Sequence, residues 1–286
     1  MRQNVQRAVT ALHVIALSDT SHITCEFNRS WYQGETDAGN DETVESYLGR
    51  FTSAVASWRG TLPAPAAGPE GALCITVQLN RVKGVTDPEQ HRRWTQVREA
   101  QRQAALRLDG VAIVSTFDQS LTDGIHNSPA SNMLMGERMA RAALGLAGKG
   151  ISPDAHRAPE PVSAFVGADG LTVSLRFANV PAHSRIGCID PLSVPFRLED
   201  SRGEVPLTRC VYPSPAEKID GRDDTMTLVC DRPIVPAAAG GSSGVVLHGA
   251  YGCDPDTVPW DVERALPMLG FYGLAVQRGL SNIARL

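Results

Sequence analysis

Leu73-Cys74-Ile75-Thr76-Val77-Gln78-Leu79 and Val111-Ala112-Ile113-Val114-Ser115-Thr116-Phe117 are apolar runs of strand length, and between them lies the Ala/Arg/Gln-rich segment Gln90 to Leu108. The two runs read as buried strands, whereas the intervening segment has the spacing of an amphipathic helix. Strand, helix and strand in this order predict a parallel sheet covered by helices. Working outward, Glu42 to Arg59 and Asn132 to Leu146 add two predicted helices, and Ile23 to Phe27 is a short, partly apolar run that reads as a strand end. The Pro/Ala/Gly stretch from Leu62 to Gly71 reads as a surface loop.

Helical periodicity gives way near residue 150 to Gly148-Lys149-Gly150, Pro153, Pro159 and Pro161. The expected organisation is a first domain over residues 1–149, a linker over 150–160 and a second domain over 161–286. A chain of 286 residues suits two domains of ordinary size. In the second part, short runs are divided by turn residues: Leu171 to Phe177, Ser193 to Leu198, Val205 to Tyr212, Met226 to Cys230, Gly244 to Leu247 and Leu269 to Val276. This spacing predicts an all-β sandwich.

The composition, 42% hydrophobic and 20% charged with a net charge of −4, is that of a soluble chain. It lacks the electrostatic footprint of a nucleic-acid or anionic-membrane binder, so neither partner is expected. No apolar run approaches the roughly 18–20 residues that span a bilayer. Met1 to Arg7 followed by Ala8 to Leu17 has a weak likeness to a signal peptide, but Val5, Val9, Leu12 and Ala16 fit one face of an amphipathic helix, and the compartment is left open. The six cysteines, at 25, 74, 188, 210, 230 and 253, form no C-x-x-C pair, which excludes zinc-ribbon and thioredoxin-like motifs. The four beyond residue 187 could form disulfides in an oxidising compartment, but as single cysteines in or near apolar strands they read more readily as buried thiols.

Two short segments carry chemistry. Asp123-Gly124-Ile125-His126 follows a predicted strand and precedes a predicted helix. In α/β folds such turns lie at the carboxyl ends of the strands, where ligands bind. An aspartate three residues before a histidine can fold back on the imidazole, fix its tautomer and stabilise the imidazolium formed when it accepts a proton. Trp31-Tyr32-Gln33-Gly34-Glu35-Thr36-Asp37 again implies a strand end. Its aromatic pair can pack under the sheet, Gly34 permits a tight backbone path, Gln33 can aim an amide N–H at a developing oxyanion, and Glu35 can add a second carboxylate near the histidine.

Together these segments resemble the sialate O-acetylesterase and related carbohydrate acetylesterase family (SASA domain) of the SGNH-hydrolase superfamily. The likeness runs from Trp31 to Met139. It takes in the W-x-Q-G-E-[ST]-D block, a helix from Tyr47 to Arg59, the strand Ile75-Thr76-Val77-Gln78-Leu79, the W-x-x-V-R-E-A-Q helix from Trp94 to Gln101, and the D-x-x-H block with G-E-R-[LM] downstream. The resemblance implies an incomplete, flavodoxin-like α/β parallel sheet with helices on both faces, followed by the sandwich. It implies His126 as general base, Asp123 as its orienter, Gln33 as an oxyanion donor and Glu35 as an auxiliary carboxylate, with Glu35 and Asp123 not ranked sharply as triad acid. The implied reaction is release of acetate from O-acetylated sugars, such as sialic acid or xylan, through an acyl-serine, with no metal or cofactor.

The family nucleophile lies in a G-Q-S-N-type segment upstream of the Q-G-E block, and this sequence holds none. Ser18 and Ser21 lack a neighbouring glycine. Gly240-Gly241-Ser242-Ser243-Gly244 fits the G-x-S-x-G expression but lies between predicted strands, with 44 residues after Ser242 for a histidine and an acid, and reads as a β-turn. The serine is therefore expected from a segment upstream of this chain or from another chain. The alternative is a non-catalytic carbohydrate-binding or structural remnant of an esterase. In the second domain Leu266 to Phe271 matches the family's apolar tail, while Asp254, Asp256 and Asp261 near Tyr251-Gly252 could bind sugar or calcium but read more readily as solvated loop acids.

Overall fold

A computed structural model describes residues 27–40, 42–62, 72–152, 155–214, 224–235 and 244–278. The N-terminal amphipathic segment with Ser18 and Ser21, Cys25, most of the Ile23 to Phe27 run, most of the Leu62 to Gly71 stretch, and Gly240 to Ser243 lie outside the described residues.

The first part is α/β. Strands β1 (Phe27–Trp31), β2 (Ala72–Val77) and β3 (Val111–Val114) form a parallel sheet in the order β1-β2-β3, with Phe27 opposite Ala72 and Cys74 opposite Val111. A one-turn helix α1 (Glu35–Ala38) and α2 (Val44–Arg59) connect β1 to β2, α3 (Pro88–Arg107) connects β2 to β3, and α4 (Pro129–Leu146) follows. Each longer helix starts where its sequence supplies a cap. Thr43 and Ser46 form a reciprocal capping box, Asp87 and Ser128 accept first-turn N–H groups, and Pro88 and Pro129 follow those two caps.

Side chains alternate across the sheet. Cys74 and Val111 join a cluster with Tyr47, Phe51 and Val55 of α2 and Trp94 and Val97 of α3, while Ile75, Val77, Ala112 and Val114 pack on Met135 and Ala142 of α4. Helices therefore cover both faces, as expected. Unlike an ordinary amphipathic helix, α3 is buried on its polar side too: every residue from Trp94 to Arg102 is buried. Its second face packs on the β-part of the molecule.

That part contains β4 (Glu160–Val166), β5 (Thr172–Ala178), β6 (Ile186–Gly187), β7 (Phe196–Asp200), β8 (Gly203–Val205), β9 (Leu207–Val211), β10 (Thr225–Cys230), β11 (Val246–Gly249), β12 (Trp260–Asp261), β13 (Leu266–Pro267) and β14 (Phe271–Arg278). Eight of them form one sheet in the order β8-β7-β11-β14-β4-β5-β10-β9, antiparallel except where β14 meets β4, and β13-β12-β6 form a small second sheet. The expected strand Val205 to Tyr212 is divided by Pro206, which lacks an N–H for a ladder. Its two pieces are the opposite edges of the eight-stranded sheet, so the sheet curls until its edges adjoin around one core holding Phe177, Leu198, Leu228, Leu247 and Phe271. Strand β4 already begins at Glu160, and Pro161 within it sits at a register irregularity. Cys188, Cys210, Cys230 and Cys253 are free thiols, all buried except the half-buried Cys188. Asp261, expected in solvent, is fully buried; it accepts from Ser184 Oγ at 2.6 Å, the Glu263 and Arg264 N–H groups and Arg264 Nε, so it closes a turn.

Candidate active site

Beyond β3 the chain folds into a turn closed by the Leu121–Asn127 bridge and by a hydrogen bond from the Thr122 N–H to the His126 carbonyl at 2.8 Å. Asp123 organises this turn from inside. Its Oδ1 accepts the Ile125 and His126 N–H groups, each at 2.8 Å, and its Oδ2 lies 2.8 Å from His126 Nδ1. With the Nδ1 proton directed at Asp123, the Nε2 lone pair is free to accept a proton. The backbone N–H of His126, that of Ile125 and then the imidazole hold the Asp123 carboxyl well below the usual carboxylate range. The bond to Asp123, its charge and, more weakly, that of Glu35 raise the His126 imidazole above its ordinary value. Both side chains are open to solvent, at 79% and 54% relative exposure.

The second segment approaches from the end of β1. Gly34 has φ +147°, and a Cβ there would lie 2.8 Å from Leu79 Cδ1 and 3.0 Å from Val97 Cγ1, so the close passage of α3 and β2 demands glycine. Gln101 Nε2 and Tyr47 OH donate to the Gln33 carbonyl at 2.9 and 3.2 Å. Glu35 opens α1 directly after it. The aromatic pair separates: Trp31 packs edge-on against Phe51 with centroids 5.7 Å apart, whereas Tyr32 is partly exposed and its hydroxyl accepts from Asn127 Nδ2 at 2.7 Å. Asp37 is engaged by Arg50 at 2.9 Å, which also reaches Glu42.

The structure thus brings together the two segments, 95 residues apart at the Tyr32–Asn127 bond, and places Glu35 where its charge is felt by His126. A third piece had no signal in the sequence. The loop after β2 carries the turn: Asn80 Nδ2 donates to Asn127 Oδ1 at 2.6 Å, the Lys83 N–H to the Gly124 carbonyl at 2.8 Å, and Arg81 Nη2 to the Gln119 carbonyl at 2.9 Å. Asn80 and Asn127 are uncharged and match no short motif, and Tyr32, although inside the first segment, occupies its unspecified position. Among the described residues no serine, threonine or cysteine side chain hydrogen-bonds to the His126 ring, and no group of three or more His, Cys, Asp or Glu side chains is placed to hold a metal ion. Ser18, Ser21 and Ser242 lie outside the described residues. A cavity of about 640 Å³ lined by Arg102, Val111, Leu146 and Glu160 sits at the opposite end of the strands and takes no part in this site.

Residues 29–145 match the family described as carbohydrate esterase, sialic acid-specific acetylesterase. Over that stretch, less than half of its length, the chain is similar to that family. The chain is also similar in fold to a carbohydrate acetylesterase from Xanthomonas citri, with 22% identity and a TM-score of 0.60 over 85% of this chain and 49% of that one. It therefore spans about half the length of that structure. Comparison with the curated proteins gave no match. Among the described residues, no helix is long and apolar enough to cross a membrane.

Proposed function

We propose that this chain supplies the base and oxyanion side of a carbohydrate O-acetylesterase. The observation that carries the reading is the Asp123–His126 pair, held at 2.8 Å and tied through Asn127 and Tyr32 to the segment bearing Gln33 and Glu35. His126 Nε2 removes the hydroxyl proton of a serine as its oxygen attacks the acetyl carbonyl carbon. Asp123 holds the imidazole and stabilises the imidazolium, and Gln33 donates to the oxyanion. The imidazolium returns the proton to the departing sugar oxygen, leaving an acetyl-serine. His126 then deprotonates a water as it attacks the acyl carbon, and the imidazolium returns that proton to the serine oxygen as its bond to the acyl carbon breaks and acetate leaves. Glu35 favours the charged imidazole from the side.

The serine belongs to a segment upstream of this sequence or to a second chain. In this reading residues 1–149 are the downstream part of an SGNH-type domain, 150–160 a linker and 161–286 a β-sandwich accessory domain, and the substrate is an O-acetylated sugar. The test is acetate release from O-acetylated sialic acid and acetylated xylan by the purified chain, with and without the region encoded upstream. The serine-bearing form is expected to turn over, and His126→Ala to lower its rate by about 10²–10⁴-fold. An inactive serine-bearing form, or an unchanged rate in the variant, rejects the reading.

A further inference from the structure

Arg98 is fully buried on α3, and among the described residues no carboxylate hydrogen-bonds to it. Instead its guanidinium donates to five main-chain carbonyls in two groups. Nε reaches Leu79 O at 2.9 Å and Nη2 reaches Asn80 O at 2.9 Å, on the loop after β2. Nη1 reaches Ala250 O at 3.0 Å and Gly252 O at 2.5 Å, and Nη2 reaches Cys253 O at 3.4 Å, on the loop after β11. Its charge lies over the Phe117 ring, 4.9 Å from the centroid. Burial of a guanidinium without a counterion is costly and is tolerated where carbonyl dipoles satisfy every donor; here it pushes the group down to about 9.

The two loops held by Arg98 converge on the site. Asn80 O also accepts from Trp94 Nε1 at 2.8 Å, and the Val82 N–H donates to Cys253 O at 2.9 Å. From this braced loop, Asn80, Arg81 and Lys83 reach the turn that presents His126.

We infer that Arg98 is a positioning residue, a clamp through which the β11–β12 loop of the β-part fixes the 79–84 loop and hence the Asp123–His126 geometry. The inference rests on His126 being the general base. Its test does not need turnover, so it is separable from the proposed reaction. In a folded Arg98→Lys chain the charge remains but the fork that reaches both loops is lost. The His126 ring, followed by NMR, is then expected to titrate below the parent, toward its ordinary value. The Lys83 amide is expected to exchange about tenfold faster, while the Leu175 and Leu228 amides in the β-core keep their parent rates. A folded variant with unchanged His126 titration and Lys83 exchange overturns the inference. If Arg98→Lys does not fold, the parent decides: Val82, Lys83 and Gly252 amides must exchange through one shared opening with the same dependence on dilute denaturant, and separate openings reject the clamp.

Discussion

Replacing Asp123 with asparagine removes the charge that raises the His126 imidazole while leaving a side chain able to cap the turn. The His126 titration midpoint should then fall to about its ordinary 6.5, read from the ring proton shifts. For the parent the sign runs the other way. A raised imidazole keeps its proton to higher pH, so any reaction needing neutral His126 gains rate as pH rises through a midpoint above 6.5, and that limb should move to lower pH in Asp123→Asn. Gly34→Ala meets both a positive φ and the Leu79 and Val97 side chains, and should cost about 2–4 kcal/mol in urea unfolding. Asp123, His126 and Gly34 were legible in the sequence because short-range chemistry fixes them: a carboxylate three residues from an imidazole, a glycine between bulky neighbours. Tyr32 and Asn80 were not, because their importance lies in partners 95 and 47 residues away.

The helices and most strands could be placed from periodicity or from continuous apolar runs, the latter where helices cover both faces of β2 and β3. Departures have local causes. Strand β4 is obscured by Pro159 and Pro161, residues that normally mark a boundary, and β8 and β9 read as one strand because the residues flanking Pro206 continue the pattern. Helix α3 shows the limit of binary patterning. Arg98, Glu99 and Arg102 look like part of a solvated stripe, yet they are buried because the β-part offers carbonyls to Arg98, the Tyr272 N–H to Glu99 and Glu160 to Arg102. The start of α4 gives a test that does not involve packing. Ser128 Oγ accepts the Ser131 N–H at 3.2 Å, and Ser128→Ala should lower stability by about 1 kcal/mol in thermal or denaturant unfolding.

Across the whole molecule, the two parts share buried polar contacts rather than a loose tether. Gln78 Nε2 donates to Gly270 O at 2.9 Å and the Gly270 N–H returns to Gln78 Oε1 at 2.8 Å, while Ser115 Oγ donates to Met268 O at 3.0 Å. Separation would leave these groups and Arg98 unsatisfied, so denaturant unfolding followed by circular dichroism and tryptophan fluorescence should give one coincident transition; two resolved transitions would contradict the coupling. Acid should weaken the β-part through His248, which burial pushes down to about 4. Between about 6.5 and about 4 the unfolded chain binds the proton that the folded chain excludes, so stability falls as pH drops through that window. His248→Phe should flatten the dependence there. The closure at Pro206 has a further consequence. Among the described residues the eight-stranded sheet ends in the short strands β8 and β9, which Pro206 keeps to three and five residues, whereas the outer side of β1 has no partner. Aggregation and any strand that pairs with β1 therefore compete for the same row of backbone groups, so a strand that occupies that edge also acts as a solubiliser.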